Sequence, residues 1–553
     1  MAMQYSRRIL FTLVVLLLIA CILFVQSSAV FGEEEKPATE KKPETTPPQP
    51  VNTSNESRQE SVNVFLITAT MLVIIFATYF FLQFKINFLP DSIITIAIGM
   101  IMGLVISYFG IESGNIFKLE SDIFFLFLLP PIIFESGYNL SKGNFFGNII
   151  SILWYAIAGT IISTLVIGIG IGIFGIIPWI DSFAFASLIS SVDPIAALTV
   201  FSGIKEDFGE KRTGKISILV FGESTLNDVA AMLLFRSFDT YARFPSAKTI
   251  SFSSSAISFM NHLLLSFFGS LIIGVVIALL SALIFKYLQF YKYPSLEITL
   301  MVITSVLPYF LSEGLELSGI LALLSSSIVN SHYTRLNLSK KTSITIDQAL
   351  MMFSYICETI VFLYLGLATF TYTHRFHFGM IFLAIILCIL GRIANIFPIT
   401  YILNNFFDAK ISKNSQLILT WCGMRGVISL ALALSLTETE YKNTIVTTTL
   451  VVVLLSILVF GGGISPLIRY LYRNDTESNN SNTPTREIPT LDHNEEESSI
   501  DKLDKEYFLP FFTTNDPNRS EVPSNKKPIV QMAEILSDES DDDLEVSIRP
   551  SKN

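Results

Sequence analysis

Charged side chains are scarce in this sequence. Asp, Glu, Lys and Arg make up 15% of its 553 residues and apolar residues 51%, whereas roughly 25% of a soluble domain is charged. This composition excludes an ordinary soluble protein and is typical of an integral membrane protein. The formal net charge of −10 arises almost entirely after Asn474. The apolar part is therefore close to neutral, which argues against nucleic acid as a partner.

Cysteine and histidine are also rare. Four cysteines are scattered through apolar segments, and five histidines lie mostly in loops. Neither set has metal-ligand spacing, and the cysteines form no disulfide framework. A Gly-rich phosphate loop before Lys-Ser/Thr is missing, which excludes ATP drive of that kind. We therefore expect no cofactor and no enzymatic activity.

The N-terminal region resembles a signal peptide over residues 1–31. Arg7 and Arg8 precede the apolar run 9–25, and small residues follow it. An uncleaved first span is the alternative. Residues 32–61 are rich in Pro, Thr, Glu and Lys, and we expect them to be disordered on the lumenal or extracellular side. The sequons at Asn52 and Asn55 are glycosylation candidates there.

Apolar runs long enough to cross a bilayer, about 17–25 residues each, fill the segment 62–470. We predict thirteen, in an all-α polytopic domain, near 62–84, 90–109, 121–138, 149–176, 182–202, 215–236, 261–289, 295–311, 318–331, 346–371, 378–404, 414–436 and 443–468. The Lys and Arg residues of the loops follow the positive-inside rule when the N-terminus is outside. The tail 471–553 is then cytosolic, and we expect it to be acidic and largely disordered.

Ionisable residues inside the runs are costly and suggest function. Seven stand out: Glu135, Asp193, Glu223, Asp228, Glu358, Arg392 and Arg425.

Asp193 precedes Pro194 in a Ser-Ser-Val-Asp-Pro segment. The proline removes the helical partner of the Ser190 carbonyl, so a broken helix is expected here. Broken helices offer backbone oxygens to sodium in transporters. We predict that Asp193, Ser190 and Ser191 supply oxygen ligands, against the alternative of a capped proline kink.

The next run carries Glu223, Asn227 and Asp228. Glu223 and Asn227 are four residues apart and share a helix face. A carboxylate at low dielectric holds either a hard cation or a proton, so the two ions compete for one site. We predict that Asp228 carries the ion beside Asn227. A structural acid paired with arginine is the alternative, for Glu223 in particular.

Arginine stays protonated when buried and must pair. We predict that Arg392 pairs with Glu223. Arg425, between Gly423 and Gly426, is expected to neutralise the helix ends where a second broken helix crosses the first. Glu135 and Glu358 are either helix-pairing acids or cavity residues. Small residues at Gly99/Gly103 and Gly168/Gly172 indicate close helix packing or a dimer contact.

Seven segments in this order resemble the eukaryotic sodium/proton exchangers of the monovalent cation:proton antiporter 1 family, especially the endomembrane and apical branch represented in animals by isoform eight. They are 124–138, 191–201 (SVDPIAALTVF), 220–235 (VFGESTLNDVAAMLLF), 331–339, 358–367, 391–404 and 423–434 (GMRGVISLALAL).

The resemblance implies an antiporter fold of thirteen helices, with inverted repeats and two crossing broken helices. It also implies a homodimer and an elevator-like movement. By the resemblance, the family's Asn-Asp pair falls on Asn227-Asp228 and its Asp-Pro pair on Asp193-Pro194. With asparagine rather than a second aspartate at 227, the sequence resembles the exchangers that are electroneutral and exchange the two ions one for one.

The function expected is antiport of Na⁺, and of K⁺ as a second cation, against H⁺. Golgi or endosomal membranes are the favoured location and the plasma membrane the alternative, and the tail is expected to bind regulators. An intramembrane hydrolase would also bury two aspartates, but its Gly-x-Gly-Asp element is missing from the sequence. A channel or receptor would require a re-entrant filter or a ligand domain, neither of which the sequence indicates.

Overall fold

A computed structural model describes residues 53–83, 90–108, 121–140, 142–193, 201, 210–243, 252–407, 409–478 and 504–513. Every regular element in these ranges is helical, which confirms the all-α fold. In chain order the helices are α1 (Thr53–Gln83), α2 (Asp91–Tyr108), α3 (Ser121–Tyr138), α4 (Lys142–Gly147), α5 (Ile149–Phe174), α6 (Trp179–Ile189), α7 (Glu210–Arg243), α8 (Phe252–Tyr287), α9 (Pro294–Gly314), α10 (Gly319–Val329), α11 (Lys340–Thr371), α12 (Phe378–Phe406), α13 (Lys413–Trp421), α14 (Val427–Ser435), α15 (Lys442–Ser456, continuing through Ile457–Gly461 and Gly462–Ser478) and α16 (Leu509–Phe512).

Ten helices in the described residues are long and apolar enough to cross a membrane: α1, α2, α3, α5, α7, α8, α9, α11, α12 and α15. The other three predicted runs contain shorter helices, namely α6, α10 and the interrupted pair α13–α14. The chain is a multi-pass membrane protein, and the count of thirteen spans stays a prediction.

The helices extend further than expected at both ends of the apolar domain. Residues 53–61, predicted to be disordered, belong to α1, which also contains Asn55. Residues 471–478 continue α15, and 504–513 form helical turns within the tail that we expected to be unstructured. The predicted signal peptide and Asn52 lie outside the described residues.

Both predicted glycine pairs serve helix packing within the chain. A Cβ atom on Gly99 of α2 would lie 2.6 Å from the Leu363 carbonyl oxygen of α11. On Gly168 and Gly172 of α5 it would lie 2.6 Å from the Phe183 ring and 2.5 Å from the Trp179 ring of α6. These helices approach closely only because the side chains are missing.

The helices that position the candidate site pack around α6. This short helix lies against α5 and α7, while α12 packs on the other part of α5. The helix α14, which is distant in sequence, also contacts α6. The interruptions after α6 and before α14 therefore meet inside the protein.

Candidate functional site

One helix ends and a second is interrupted at the places where the sequence predicted breaks. The helix α6 ends at Ile189, and residues 191–193 are not helical. Between α13 and α14, residues 422–426 form the second interruption. Residues 194–200, which include Pro194, lie outside the described residues.

The two interruptions are in direct contact. The backbone N–H of Asp193 donates to the Met424 carbonyl oxygen over 2.9 Å. A Cβ atom on Gly426 would lie 2.6 Å from the Asp193 Cβ. The end of α6 therefore meets the break between α13 and α14, and the resumption of the first helix beyond Asp193 and the symmetry of inverted repeats stay predictions.

The glycines of the second interruption are required for space. Gly426 has φ −105°, which any residue adopts. A Cβ atom on Gly423 would lie 2.6 Å from the Arg392 Nε. The helix is broken at these glycines, and their contacts show that they also make room for Arg392 and Asp193.

Asp228 lies on the uninterrupted helix α7 and faces the first interruption. Its side chain is buried, and the Ser191 hydroxyl donates to its Oδ1 over 2.7 Å. The Val192 backbone amide also hydrogen-bonds its carboxyl group. Within the described residues it forms no ion pair. Asp228 is thus a carboxylate held by neutral donors.

Asn227 and Ser190 were also predicted as ligands, but their side chains do not hydrogen-bond Asp228 as Ser191 does. Asn227 is buried, and its Oδ1 has no hydrogen-bond partner. The Ser190 hydroxyl donates to the Ala186 carbonyl in its own helix over 2.7 Å. The structure therefore brings Ser191, but not the Ser190 side chain, to Asp228.

A cavity of about 70 Å³ joins three of the predicted acids. Asp193, Asp228 and Glu358 all line it, and its remaining wall is mainly apolar. A single water needs roughly 10–15 Å³ in this measure. The cavity has room for one monovalent cation with a few waters, and carboxylate oxygens are the ligands that a hard cation prefers.

Glu135 does not line this cavity. Its Oε1 accepts a hydrogen bond over 2.9 Å from the Nδ2 of Asn139, the cap residue that follows α3. Glu358 hydrogen-bonds with the Ser354 hydroxyl over 3.4 Å in addition to lining the cavity. Of the two acids left open by the sequence, Glu358 lines the cavity and Glu135 hydrogen-bonds the cap residue of its own helix, and the role of each stays a prediction.

Arg392 and Glu223 form the ion pair that the sequence predicted. Both Nη atoms of Arg392 donate to the Glu223 carboxylate, Nη2 over 3.1 Å. The same Nη2 donates to the Leu419 carbonyl oxygen over 2.8 Å. Because both side chains are buried, this pair fastens α7, α12 and α13 together.

Arg425 lies at the crossing itself. Its Nη1 donates to the Ser190 carbonyl oxygen over 2.9 Å, at the C-terminal end of α6. Its backbone N–H donates to the Ser456 hydroxyl over 3.0 Å. A cation at the carbonyl end of a helix opposes the helix dipole, which is the role that the sequence predicted.

Sequence reasoning missed two hydroxyl groups of the cavity, Thr225 and Ser136. Serine and threonine are common in apolar helices and often bond to their own turn, as Thr225 does to the Phe221 carbonyl. Ser136 lies between Glu135 and Gly137, and Thr225 is two residues from Glu223, so nearness to an acid inside a span is the signal that could have found them.

A larger cavity of about 340 Å³ lies further along α7, beside Asp239 and the Arg236–Glu313 ion pair. It does not include Asp228. Asp239 accepts from the Thr437 hydroxyl over 2.7 Å. In the described part of the chain, no group of three His, Cys, Asp or Glu could hold a metal ion, and Cys357, Cys388 and Cys422 are buried free thiols.

Comparison with known proteins finds relatives that are described as sodium/hydrogen exchangers. Residues 70–470 match the family described as sodium/hydrogen exchanger, transmembrane. Sodium/hydrogen exchanger 8 of Homo sapiens is 39% identical over 449 residues, covering 78% of this chain and 76% of the relative. The endosomal/prevacuolar sodium/hydrogen exchanger of Saccharomyces cerevisiae is 30% identical, covering 76% and 69%.

A solved structure has a similar fold. The sodium proton antiporter MjNhaP1 from Methanocaldococcus jannaschii matches with a TM-score of 0.54 at 17% identity, covering 74% of this chain and 98% of that one. At this identity the likeness concerns the arrangement of helices alone.

Proposed function

Because the chain belongs to the sodium/hydrogen exchanger family, we propose that its Na⁺/H⁺ exchange takes place at Asp228, which binds either one Na⁺ or one proton. The observation that carries this proposal is the position of the Asp228 carboxylate. It is buried in the cavity where the two interrupted helices cross, and no described cation neutralises it.

The chemistry follows from burial and charge. A carboxylate in a small, mainly apolar cavity is unstable without a counter-charge. A sodium ion or a proton supplies that charge, and binding of one removes the site for the other. Each turnover then moves one Na⁺ one way and one H⁺ the other, which is electroneutral.

The neighbouring groups have supporting roles in this proposal. Asp193, Ser191 and the Asn227 oxygen are candidate ligands for the dehydrated cation, and Glu358 is a further acid of the same cavity. Arg392 is engaged by Glu223 and Arg425 by the end of α6. Neither arginine competes with the cation for Asp228.

We extend the proposal to the whole protein as follows. The protein exchanges K⁺ as a second cation, and its alternating access is an elevator-like movement. It is a homodimer in Golgi or endosomal membranes, or in the plasma membrane. Its tail is cytosolic and binds regulators. The yeast relative is described as endosomal/prevacuolar, which supports an internal membrane.

Exchange by the purified protein in liposomes tests the site. With an imposed pH gradient and a pH-sensitive dye, addition of Na⁺ should drive proton flux. We expect Asp228→Asn to reduce this flux to the level of protein-free liposomes, because the amide binds neither a proton nor a cation by charge.

Asp239→Asn is the matched control. Asp239 is a buried aspartate of the same helix, and asparagine keeps an oxygen that accepts from Thr437. We expect it to retain exchange. Na⁺-driven proton flux in a folded Asp228→Asn variant would refute the assignment.

A further inference from the structure

The tail contains a folded segment that the sequence did not indicate. Residues Asp504–Phe508 form one wide helical turn, and α16 follows at once. The segment is only partly apolar, yet Phe512 is 8% exposed. A phenylalanine near the end of so short a segment becomes buried only when the segment rests on another part of the protein.

The start of the segment is held by a charged contact. Asp504 accepts hydrogen bonds from the Tyr333 hydroxyl and from the His332 Nε2–H, the latter over 2.7 Å. Both partners belong to the connection 330–339 between α10 and α11, in which the helical turns Asn330–Thr334 and Arg335–Asn337 continue α10. The side chain of Asp504 is 21% exposed, so bulk solvent screens this contact only in part.

The end of the segment is held by two donors from the membrane domain. The Lys286 Nζ, at the end of α8, donates to the carbonyl oxygens of Pro510 and Phe511 over 2.9 and 2.8 Å. The Asn337 Nδ2 donates to the Phe512 carbonyl over 2.8 Å and to the Ala282 carbonyl of α8 over 3.0 Å. These donors satisfy the carbonyl groups that the last turn of a helix leaves free.

The apolar contact lies between these two ends. The rings of Tyr333 and Phe512 have their centroids 5.3 Å apart, a distance typical of favourable aromatic pairs. Lys286, His332, Tyr333 and Asn337 thus form one surface, here called the tail-docking surface, that binds both ends and the middle of the segment.

We propose that residues 504–513 are a docking segment by which the chain fastens its own tail to the tail-docking surface. Residues 479–503 connect it to α15 and, when extended, reach roughly 80 Å. That reach is enough for the segment to dock on the molecule from which it emerges.

The docking has a structural consequence at the connection 330–339. The connection is fixed from within by Ser331, whose carbonyl accepts from the Lys142 Nζ over 2.7 Å. Ser339 donates through its hydroxyl to Glu297 over 2.7 Å and caps α11. The docked tail supports the connection from its outer side. Because α11 carries Glu358 into the site cavity, the tail steadies the start of a helix that lines the site.

Hydrogen–deuterium exchange of the full chain in detergent or nanodiscs tests the proposal. We expect the amides of 507–513 to exchange at least about tenfold more slowly than those of 514–553, since docking protects their hydrogen bonds. Asp504→Ala, Phe512→Ala and Lys286→Ala should each remove this protection, and exchange in 330–339 should accelerate with it.

Glu506→Ala is the matched control, because Glu506 is an exposed acid within the same turn. It should leave both regions unchanged. Equal exchange in 507–513 and 514–553 of the unaltered chain would overturn the docking, as would protection that survives Asp504→Ala and Phe512→Ala. Loss of tail protection with unchanged exchange in 330–339 would overturn the support of the connection. None of these results depends on Asp228.

Discussion

Each ionisable side chain inside a span needs either a partner or a function, because the bilayer core solvates charge poorly. This cost explains why the acids and arginines could be found from sequence. The structure then separates them by their contacts. Glu223 and Arg392 neutralise each other, whereas Asp228 accepts from a hydroxyl group and lies in a cavity.

Hydroxyl ligands could not be separated in the same way. Ser190 and Ser191 are adjacent, but only the Ser191 hydroxyl reaches Asp228, because Ser190 is the cap residue at the end of α6 and Ser191 lies beyond it. The Ser190 hydroxyl still donates to the Ala186 carbonyl of α6. The residue at which a helix stops thus decides which serine reaches the site, and sequence patterns predict that residue poorly.

The first prediction concerns Ser191. Removing its hydroxyl should favour the protonated form of Asp228, because a carboxylate accepts hydrogen bonds more strongly than a neutral acid. Such a bond to a charged group contributes about 1.5 kcal/mol or more, which is about tenfold in affinity. We expect Ser191→Ala to raise the apparent KM for Na⁺ about tenfold at pH 6 and less at pH 8.

Ser187→Ala is its control, since in the part of the chain that the structure describes the Ser187 hydroxyl donates to the Ala184 carbonyl of its own helix. Transport assays of both variants across pH measure the difference. An unchanged KM in Ser191→Ala would show that this hydroxyl does not act on the ion-binding carboxylate.

The second prediction concerns the buried ion pair. Removing one partner leaves an uncompensated buried charge, which costs about 3–5 kcal/mol. We expect Glu223→Gln and Arg392→Met each to lower the thermal unfolding temperature strongly. The loss of unfolding temperature in the double variant should be smaller than the sum of the losses in the two single variants. Additive losses would mean that the two side chains are not coupled.

At the level of elements, the crossing of the interrupted helices depends on close backbone approach. Both breaks could be predicted, one from Asp193-Pro194 and the other from Gly423 and Gly426. The reason for the glycines could not, because the side chains that fill their space come from residues far away in sequence. Such contacts exist only once the helices have been assembled.

The third prediction tests this approach. A methyl group at Gly426 would meet the Asp193 Cβ at 2.6 Å, so Asp193 must move. Displacement of a site group by about 1 Å can cost on the order of a hundredfold in rate. We expect Gly426→Ala to reduce Na⁺-driven proton flux by about tenfold to a hundredfold.

Gly143→Ala serves as its control. Nothing lies within 4 Å of a Cβ atom at Gly143, and alanine favours a helix more than glycine does. Flux per reconstituted protein should be unchanged in this variant. Normal flux in Gly426→Ala would show that the crossing tolerates displacement of Asp193.

For the whole molecule, hydropathy predicted the positions of the long helices well, because a span is a local property of about 20 residues. The docked tail could not be predicted in this way. Residues 504–513 are too short for a periodic pattern, and their partners, such as Lys286 and Asn337, are distant in sequence. A weak local signal became a folded element through tertiary contacts alone.

The fourth prediction concerns assembly. We expect native mass spectrometry from a mild detergent to report particles of twice the chain mass, as the proposed homodimer requires. The packing of Gly99 and Gly168 inside the chain means that these helix faces are not available to a second copy. Particles of one chain, released from membranes under the same conditions, would contradict the homodimer.

The most direct test of the account is the dependence of Na⁺ affinity on pH. Initial Na⁺ uptake into liposomes should be measured over a range of external pH with the internal pH fixed. Competition at Asp228 predicts that the apparent KM for Na⁺ rises as the external pH falls, by about tenfold per unit once the proton-bound form predominates, at a constant maximal rate. A KM independent of pH, with the maximal rate falling instead, would contradict a single site shared by the two ions.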